Sequence, residues 1–365
     1  MVGEDAGQRP AADLAGLGLR EGRRDLGHVG AVAGDEDLLA GGEEQFDPLP
    51  GVGDEAGAGA GGLDGLAPRL PAITRADAVI VGSYVPDGPA VLDLALETAQ
   101  GPVAFYDIDT PVTLAALSRG EDTYITPRQI PRLDAYFSFT GGPTLARLER
   151  EFGARRALPL YCSVDPDLYR PTEDAPLYDL GYLGTYSPDR QPAVERLLIE
   201  PARRLPERRF ILGGPGFPDD IDWPPNVERI AHVPPADHPA FYRSQRFTLN
   251  CTRADMVAAG WSPSVRLFEA AACGVPVISD AWPGLSSFFE LGRAILVAHD
   301  TGDVLDALAA PPARGETLAA QARAHVLARH TGAARAAELA ASLRDLRRAA
   351  RPPVRTAASR QGATQ

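Results

Sequence analysis

A glutamate set in an apolar helix is the most pointed chemical feature of this sequence. Within SPSVRLFEAAACGVPVISDAWPGL (262–285), Glu269 lies between Phe268 and a run of alanines, where a carboxylate is costly unless something holds it. Held there, it can accept hydrogen bonds from the vicinal hydroxyls of a ribose. Arg266, one turn earlier, can neutralise Glu269 or reach a phosphate. Two readings stand: a sugar-and-phosphate site, or a core helix with a structural Arg266–Glu269 pair. A second candidate is Asp107-Ile108-Asp109, which follows an apolar run and precedes Thr110-Pro111. That context puts both carboxylates at a strand's carboxyl end, facing a cleft. Three roles are open to them: general base or acceptor positioning, capping of the next helix, and metal binding in the Asp-x-Asp manner. Thr140-Gly141-Gly142 ends another strand at the same edge, as a backbone loop near an acceptor or a phosphate. His232 ends a strand beside Pro234 and either faces the cleft or is structural.

The elements that must position these groups alternate. ADAVIVGSY (76–84), PVAFYDID (102–109), DAYFSFT (134–140) and RALPLYC (156–162) read as strands, with helices at 90–99, around VTLAALSRG and at 144–153. A Pro- and Asp-rich linker, SVDPDLYRPTEDAPLYD (163–179), precedes a second series. Its strands are DLGYLG (179–184), RRFILGG (208–214), NVERIAHV (226–233), RFTLNC (246–251), GVPVISD (274–280) and AILVAH (294–299). Its helices are expected at 190–205, 236–245, 263–273 and from Thr301, followed by 316–330 and one capped by Thr331 that runs to about Ala349. Ser262 or Ser264 caps the 263–273 helix, Pro263 suits its first turn, and Gly274 ends it in a left-handed turn. Such alternation predicts α/β architecture: two tandem Rossmann-like, doubly wound domains with a cleft between them. Ligands in such sheets sit at the carboxyl ends of the strands.

With these pieces in place, the sequence resembles the group-1 (family 4) glycosyltransferases of GT-B fold, and most closely their CgeB-like, spore-maturation branch. The family pattern runs Glu, seven residues, Glu-Ala, a small residue, Cys-Gly-x-Pro-Val, and 262–285 is similar to it. SVDPDLYRP (163–171) resembles the inter-domain segment, YLGTYSPDR (182–190) the first carboxy-domain strand and phosphate loop, and NVERIAHVPPADHPAFY (226–242) the strand-loop-helix before the donor site. The resemblance spans about Ala76 to Ala340. It implies that Glu269 binds the donor ribose, that Arg190 lies on the diphosphate, and that Gly184 and Thr185 let the backbone approach it. It also implies that the loop Asp280–Leu285, with Gly284 and Leu285, closes over the donor. The chain departs from the pattern at position 261, where Trp261 replaces the first glutamate. The usual contact to the donor sugar is then absent or passes to Ser262 or Ser264.

The function so implied is transfer of a sugar from a UDP- or GDP-linked donor to an unknown acceptor, without metal or other cofactor. Two rivals remain: a non-catalytic nucleotide-sugar-binding relative, favoured by Trp261 and the atypical amino end, and a sugar-nucleotide epimerase, for which only Asp107, Asp109 and His232 would serve.

Composition bounds the rest. The net charge of −13 is concentrated at the start: residues 1–70 hold 14 Asp/Glu against 5 Arg, which leaves −4 for the remainder. Nothing therefore points to a nucleic-acid partner. The same segment holds 17 of the 37 glycines and lacks strand-like runs, which predicts disorder over 1–72. It also lacks the strand-turn-helix with which family members begin; either the first βα unit is missing or the start reads through unrelated sequence. The expected organisation is then 73–165 as an incomplete amino-terminal acceptor domain, 166–178 as linker, 179–332 as the nucleotide-sugar domain, 333–349 as a closing helix and 350–365 as a disordered tail. Every fixed cation is arginine. The cluster Arg344, Arg347, Arg348, Arg351 and Arg355 reads as a solvated helix end or as peripheral contact with anionic lipid. Cys162, Cys251 and Cys273 lack metal spacing, no run reaches the ~18 apolar residues of a membrane helix, and no secretion signal is readable; a cytoplasmic protein is expected.

Overall fold

The computed structural model of the protein describes residues 63–121 and 123–350. The expectation of disorder falls mostly on 1–62 and 351–365, which lie outside the described residues. Residues 63–72, included in that expectation, are instead helical: a 3-10 helix (Leu63–Arg69) runs into α1 (Leu70–Arg75). The Gln100 N–H bonds the Thr74 carbonyl at 3.2 Å and ties this segment to the chain that follows.

Four parallel strands form the amino-terminal sheet in chain order: β1 (Val79–Gly82), β2 (Val103–Asp107), β3 (Ala135–Ser138) and β4 (Ala157–Pro159). Between them run α2 (Gly88–Thr98), α3 (Thr110–Ser118) and α4 (Pro143–Phe152). Right-handed crossovers stepping in one direction place such helices on a single face. Leu92, Leu114 and Leu148 accordingly share one cluster with Phe105 and Tyr136.

The second sheet has six parallel strands. They are β5 (Tyr178–Leu183), β6 (Phe210–Gly213), β7 (Val227–Ile230), β8 (Gln245–Asn250), β9 (Val277–Ser279) and β10 (Leu296–Val297), in the order β10-β9-β8-β5-β6-β7. The helix expected at 190–205 is continuous but not uniform. α5 (Gln191–Val194) and α6 (Glu200–Arg204) flank a π-helical turn, Glu195–Ile199. Pro201 has no N–H to return to the preceding turn, and the widened turn sits just before it. Further on come α7 (His238–Arg243), α8 (Ala254–Ala259), which the sequence did not announce, and α9 (Val265–Ala272). α10 (Thr301–Ala309), α11 (Pro312–Arg329) and α12 (Gly332–Ala350) close the described chain. Thr331 caps α12 as expected, its hydroxyl accepting the Ala334 N–H at 3.2 Å.

The last helix returns to the first sheet. Ala104, Ala135 and Phe137 face away from α2–α4 and pack with Leu160 and with Leu346 of α12, flanked by Leu339 and Leu343. Linker and return path are zipped together: Val164 N–H bonds His330 O at 2.9 Å and Gly332 N–H bonds Val164 O at 3.2 Å. Among the described residues no helix is long and apolar enough to cross a membrane. The three cysteines are buried and unbridged.

Candidate functional site

The strand order of the second sheet reverses at β5, with β6 on one side and β8 on the other. A crevice opens at the carboxyl end of such a strand. The residue that follows β5 is Gly184, and a Cβ there would stand 2.7 Å from the Tyr182 hydroxyl and 2.9 Å from Arg266 Nη2. A side chain there would have to displace one or both of those groups. Arg190, 3% exposed at the start of α5, donates from Nη1 to the Tyr182 hydroxyl at 3.2 Å and to the Thr185 carbonyl at 3.1 Å. Arg266 reaches the same place from α9, its guanidinium 5.8 Å from the Tyr182 ring centroid. Two buried guanidinium groups thus converge on one tyrosine at the switch point of the sheet, Arg190 at its hydroxyl and Arg266 over its ring. Burial pushes the Tyr182 hydroxyl pKa up, against the pull of both arginines.

The helix that carries Arg266 is buried along its length from Arg266 to Ala272. Gly274 ends it at φ +74°, as the sequence led one to expect, and β9 follows. Two details at its start differ. Ser264 occupies the N-cap with extended backbone, but its hydroxyl accepts Arg266 Nη1 at 2.9 Å instead of capping a backbone N–H. Pro263 lies before the cap, outside the first turn. Glu269, 6% exposed, accepts the Tyr242 hydroxyl at 2.9 Å. Burial and the Glu269 charge together hold the Tyr242 pKa well above its ordinary value. At the neighbouring strand ends, Asp280 accepts the N–H and hydroxyl of Thr252 at 2.9 and 2.8 Å. Burial raises the Asp280 pKa, opposed by those bonds and by the Arg190 charge. Asp189 accepts the Ala254 N–H at 2.8 Å, which pins the 184–190 loop to the start of α8. Tyr182, Tyr242 and Asp189 were not singled out from sequence, because a hydroxyl or an isolated carboxylate carries no spacing signal of its own; Asp280 entered only as the start of the loop Asp280–Leu285.

A second group gathers around Trp261. Its carbonyl accepts the Gly141 N–H at 2.9 Å, and its indole lies against both Gly142 and Gly284. Ser262 Oγ is 2.8 Å from Thr140 Oγ1, so this group joins the two halves of the chain. Leu285, 2% exposed, begins a short 3-10 turn, Leu285–Ser287, behind Gly284.

The Asp107 and Asp109 carboxylates are engaged elsewhere. Asp107 is fully buried, shares its strand face with Phe105, and accepts the Tyr136 hydroxyl at 2.5 Å and the Asp109 N–H at 3.0 Å. The expectation that it faces a cleft is corrected: strand parity turns it toward the helices. Burial pushes its pKa up to about 6, moderated by the Tyr136 hydroxyl. Asp109, 8% exposed, sits at the N-cap position of α3 without a side-chain capping bond and accepts the Tyr84 hydroxyl. His232 is exposed and lines an apolar pocket beside β7 with Glu228 and Asp237, apart from the arginines.

Comparison with known proteins bears on the fold that carries these residues. A family model described as glycosyl transferase-like matches residues 190–341, from Arg190 into α12. Sucrose-phosphate synthase from Thermosynechococcus elongatus superposes with a TM-score of 0.57 at 16% identity, over 78% of this chain and 79% of that one. Anabaena HepE, solved in complex with UDP and glucose, gives 0.58 at 15% identity, over 77% and 82%. An α,α-trehalose-phosphate synthase (UDP-forming) from Burkholderia vietnamiensis gives 0.56 at 13% identity, over 79% and 75%. No curated protein matches the sequence. At such identities the likeness is one of fold, and the fold is GT-B.

Proposed function

We propose that the protein is a glycosyltransferase that moves a sugar from a UDP- or GDP-linked donor to an acceptor, in the manner of the CgeB-like branch. The observation that carries this reading is the convergence of buried Arg190 and Arg266 on Tyr182 beside Gly184, with Glu269 one turn further along the helix that holds Arg266. In transfer, the bond between the sugar's anomeric carbon and the diphosphate oxygen breaks, and its electron pair stays on the diphosphate. The acceptor oxygen forms the new bond, and its proton passes to the departing diphosphate. Charge builds on the leaving diphosphate, and fixed cations aimed there stabilise the transition state without a metal. Arg190 and Arg266 serve that role, and Glu269 accepts the ribose hydroxyls. The carboxyl half holds the donor and the amino half the acceptor. HepE was solved with UDP and glucose, which supports a donor of this class.

The test is calorimetric titration with UDP and with GDP in the presence of EDTA, on the native protein and on Glu269→Ala and Glu269→Gln, beside thermal melts. One nucleotide binds the native protein in EDTA, Glu269→Gln folds normally, and Glu269→Ala loses roughly 10- to 100-fold in affinity, the scale of a charge-assisted hydrogen bond. Strict dependence of binding on Mn²⁺ or Mg²⁺ would sink the metal-free reading. If Glu269→Ala melts early yet binds as the native protein does, Glu269 is scaffolding and the donor assignment fails.

A further inference from the structure

Trp261, half-buried, is held from both halves of the molecule. Its φ is +46°, a left-handed value that costs a side-chain-bearing residue energy and persists only where surrounding contacts over-determine it. Those contacts come from both halves of the molecule. Its N–H bonds the Pro283 carbonyl at 2.7 Å and its indole Nε1 donates to Ser287 Oγ at 3.2 Å, both on the carboxyl side. Its carbonyl accepts the Gly141 N–H of the amino side at 2.9 Å. The ring itself lies on two glycine backbones. A Cβ on Gly142 would stand 2.5 Å from the indole Cδ2, and a Cβ on Gly284 would also stand 2.5 Å from it. Gly142 belongs to the loop after β3, Gly284 to the loop after β9. The adjacent Ser262–Thr140 hydroxyl pair, 2.8 Å apart, ties the Trp261 segment itself to the loop after β3. An indole is a rigid plate with only two side-chain torsions, so glycine backbone resting directly on it is placed by the ring.

We infer that Trp261 is a positioning residue whose ring sets the spacing and register between loop 140–142 and loop 283–287. In its catalytic consequence the inference rests on the proposed transfer. The first loop belongs to the half that would carry the acceptor, the second to the half that would carry the donor. Transfer needs the reacting atoms about 3–3.5 Å apart, and a misplacement of about 1 Å costs on the order of 100-fold in rate. Loss of the ring therefore lowers turnover while leaving nucleotide affinity nearly intact.

Trp261→Ala, Trp261→Phe and Ser262→Ala test this by hydrogen exchange with mass spectrometry and by calorimetric titration with UDP and GDP. In Trp261→Ala, exchange speeds at least tenfold in peptides covering 139–145 and 283–288, while peptides from β5 and β6 are unchanged and nucleotide affinity stays within about threefold of native. Trp261→Phe restores most of the protection, because a flat ring remains. Should Trp261→Ala fail to fold, Ser262→Ala alone speeds exchange at 139–145, the loop its hydroxyl holds through Thr140. Native-like exchange at 139–145 in a folded Trp261→Ala overturns the clamp. A loss of more than tenfold in affinity with exchange unchanged makes Trp261 a donor contact and overturns the positioning role. If neither nucleotide binds the native protein, the transfer reading fails, and the exchange measurements still decide whether the ring joins the two loops.

Discussion

At the scale of single residues, Asp107 gives a sharp physical test. Its carboxyl, ordinarily near 3.8, titrates at about 6 because burial disfavours the charge. The folded state therefore holds the proton more tightly than the unfolded chain does. The stability this confers is fully present below about pH 4 and is lost as pH rises through about 6, a change on the order of 3 kcal/mol. Asp107→Asn cannot ionise, so its stability relative to the native protein should improve by up to that amount between pH 4 and pH 7.5. Thermal melts across that range check it, and a constant difference between the two proteins would show that the buried carboxylate does not titrate there. The same residue shows what a sequence does and does not disclose. Arg190 was picked out only by the family resemblance, whereas Glu269 and Arg266 were legible because a charge in an apolar helix stands out whatever surrounds it. The direction of Asp107 was not, because the face of β2 it shares with Phe105 is the inner one only once both faces of the sheet are covered. Trp261 was visible solely as a mismatch to a pattern, and its partners Gly142 and Gly284 lie more than a hundred positions apart from one another.

At the scale of elements, α9 and the turn after it show local signals and packing in agreement. Leu267, Ala270 and Ala271 are buried, and Gly274 takes the left-handed conformation that lets the chain turn straight into β9. Gly274→Ala meets two costs: a Cβ in the left-handed region, and a contact 3.1 Å from Pro171 Cγ. A destabilisation of roughly 1–2 kcal/mol follows, measurable as a lowered urea midpoint with unchanged slope. An unchanged midpoint would mean that the turn relaxes freely. α8 escaped notice for the opposite reason. It has six residues, ends at Gly260, and buries only Met256, so no apolar period could develop. The π turn before Pro201 was likewise hidden, since residues 190–205 are too short a stretch for the shift in apolar phase it introduces to stand out.

At the scale of the whole molecule, the alternation of strands and helices announced two α/β units, and the sheets bear that out. What pattern alone could not supply was the partner of the second face of the amino-terminal sheet. A four-stranded sheet wound in one direction leaves one side bare, and here α12 fills it with Leu346, only 3% exposed, against Ala104, Ala135 and Phe137. Leu346→Ala should cost about 2–4 kcal/mol, and the loss should appear as earlier melting. A melt indistinguishable from native would place the helix outside the cooperative unit. The arrangement also has a consequence for how the chain comes into being. During synthesis the strands β1–β4 leave the ribosome long before α12, so their uncovered side meets water and other chains for as long as translation takes. At about 5–20 residues per second, the stretch between β4 and the end of α12 keeps that side waiting for roughly ten to forty seconds. The amino-terminal half is thus made first and completed last, and the interval is when this protein is most exposed to aggregation and most in need of a chaperone.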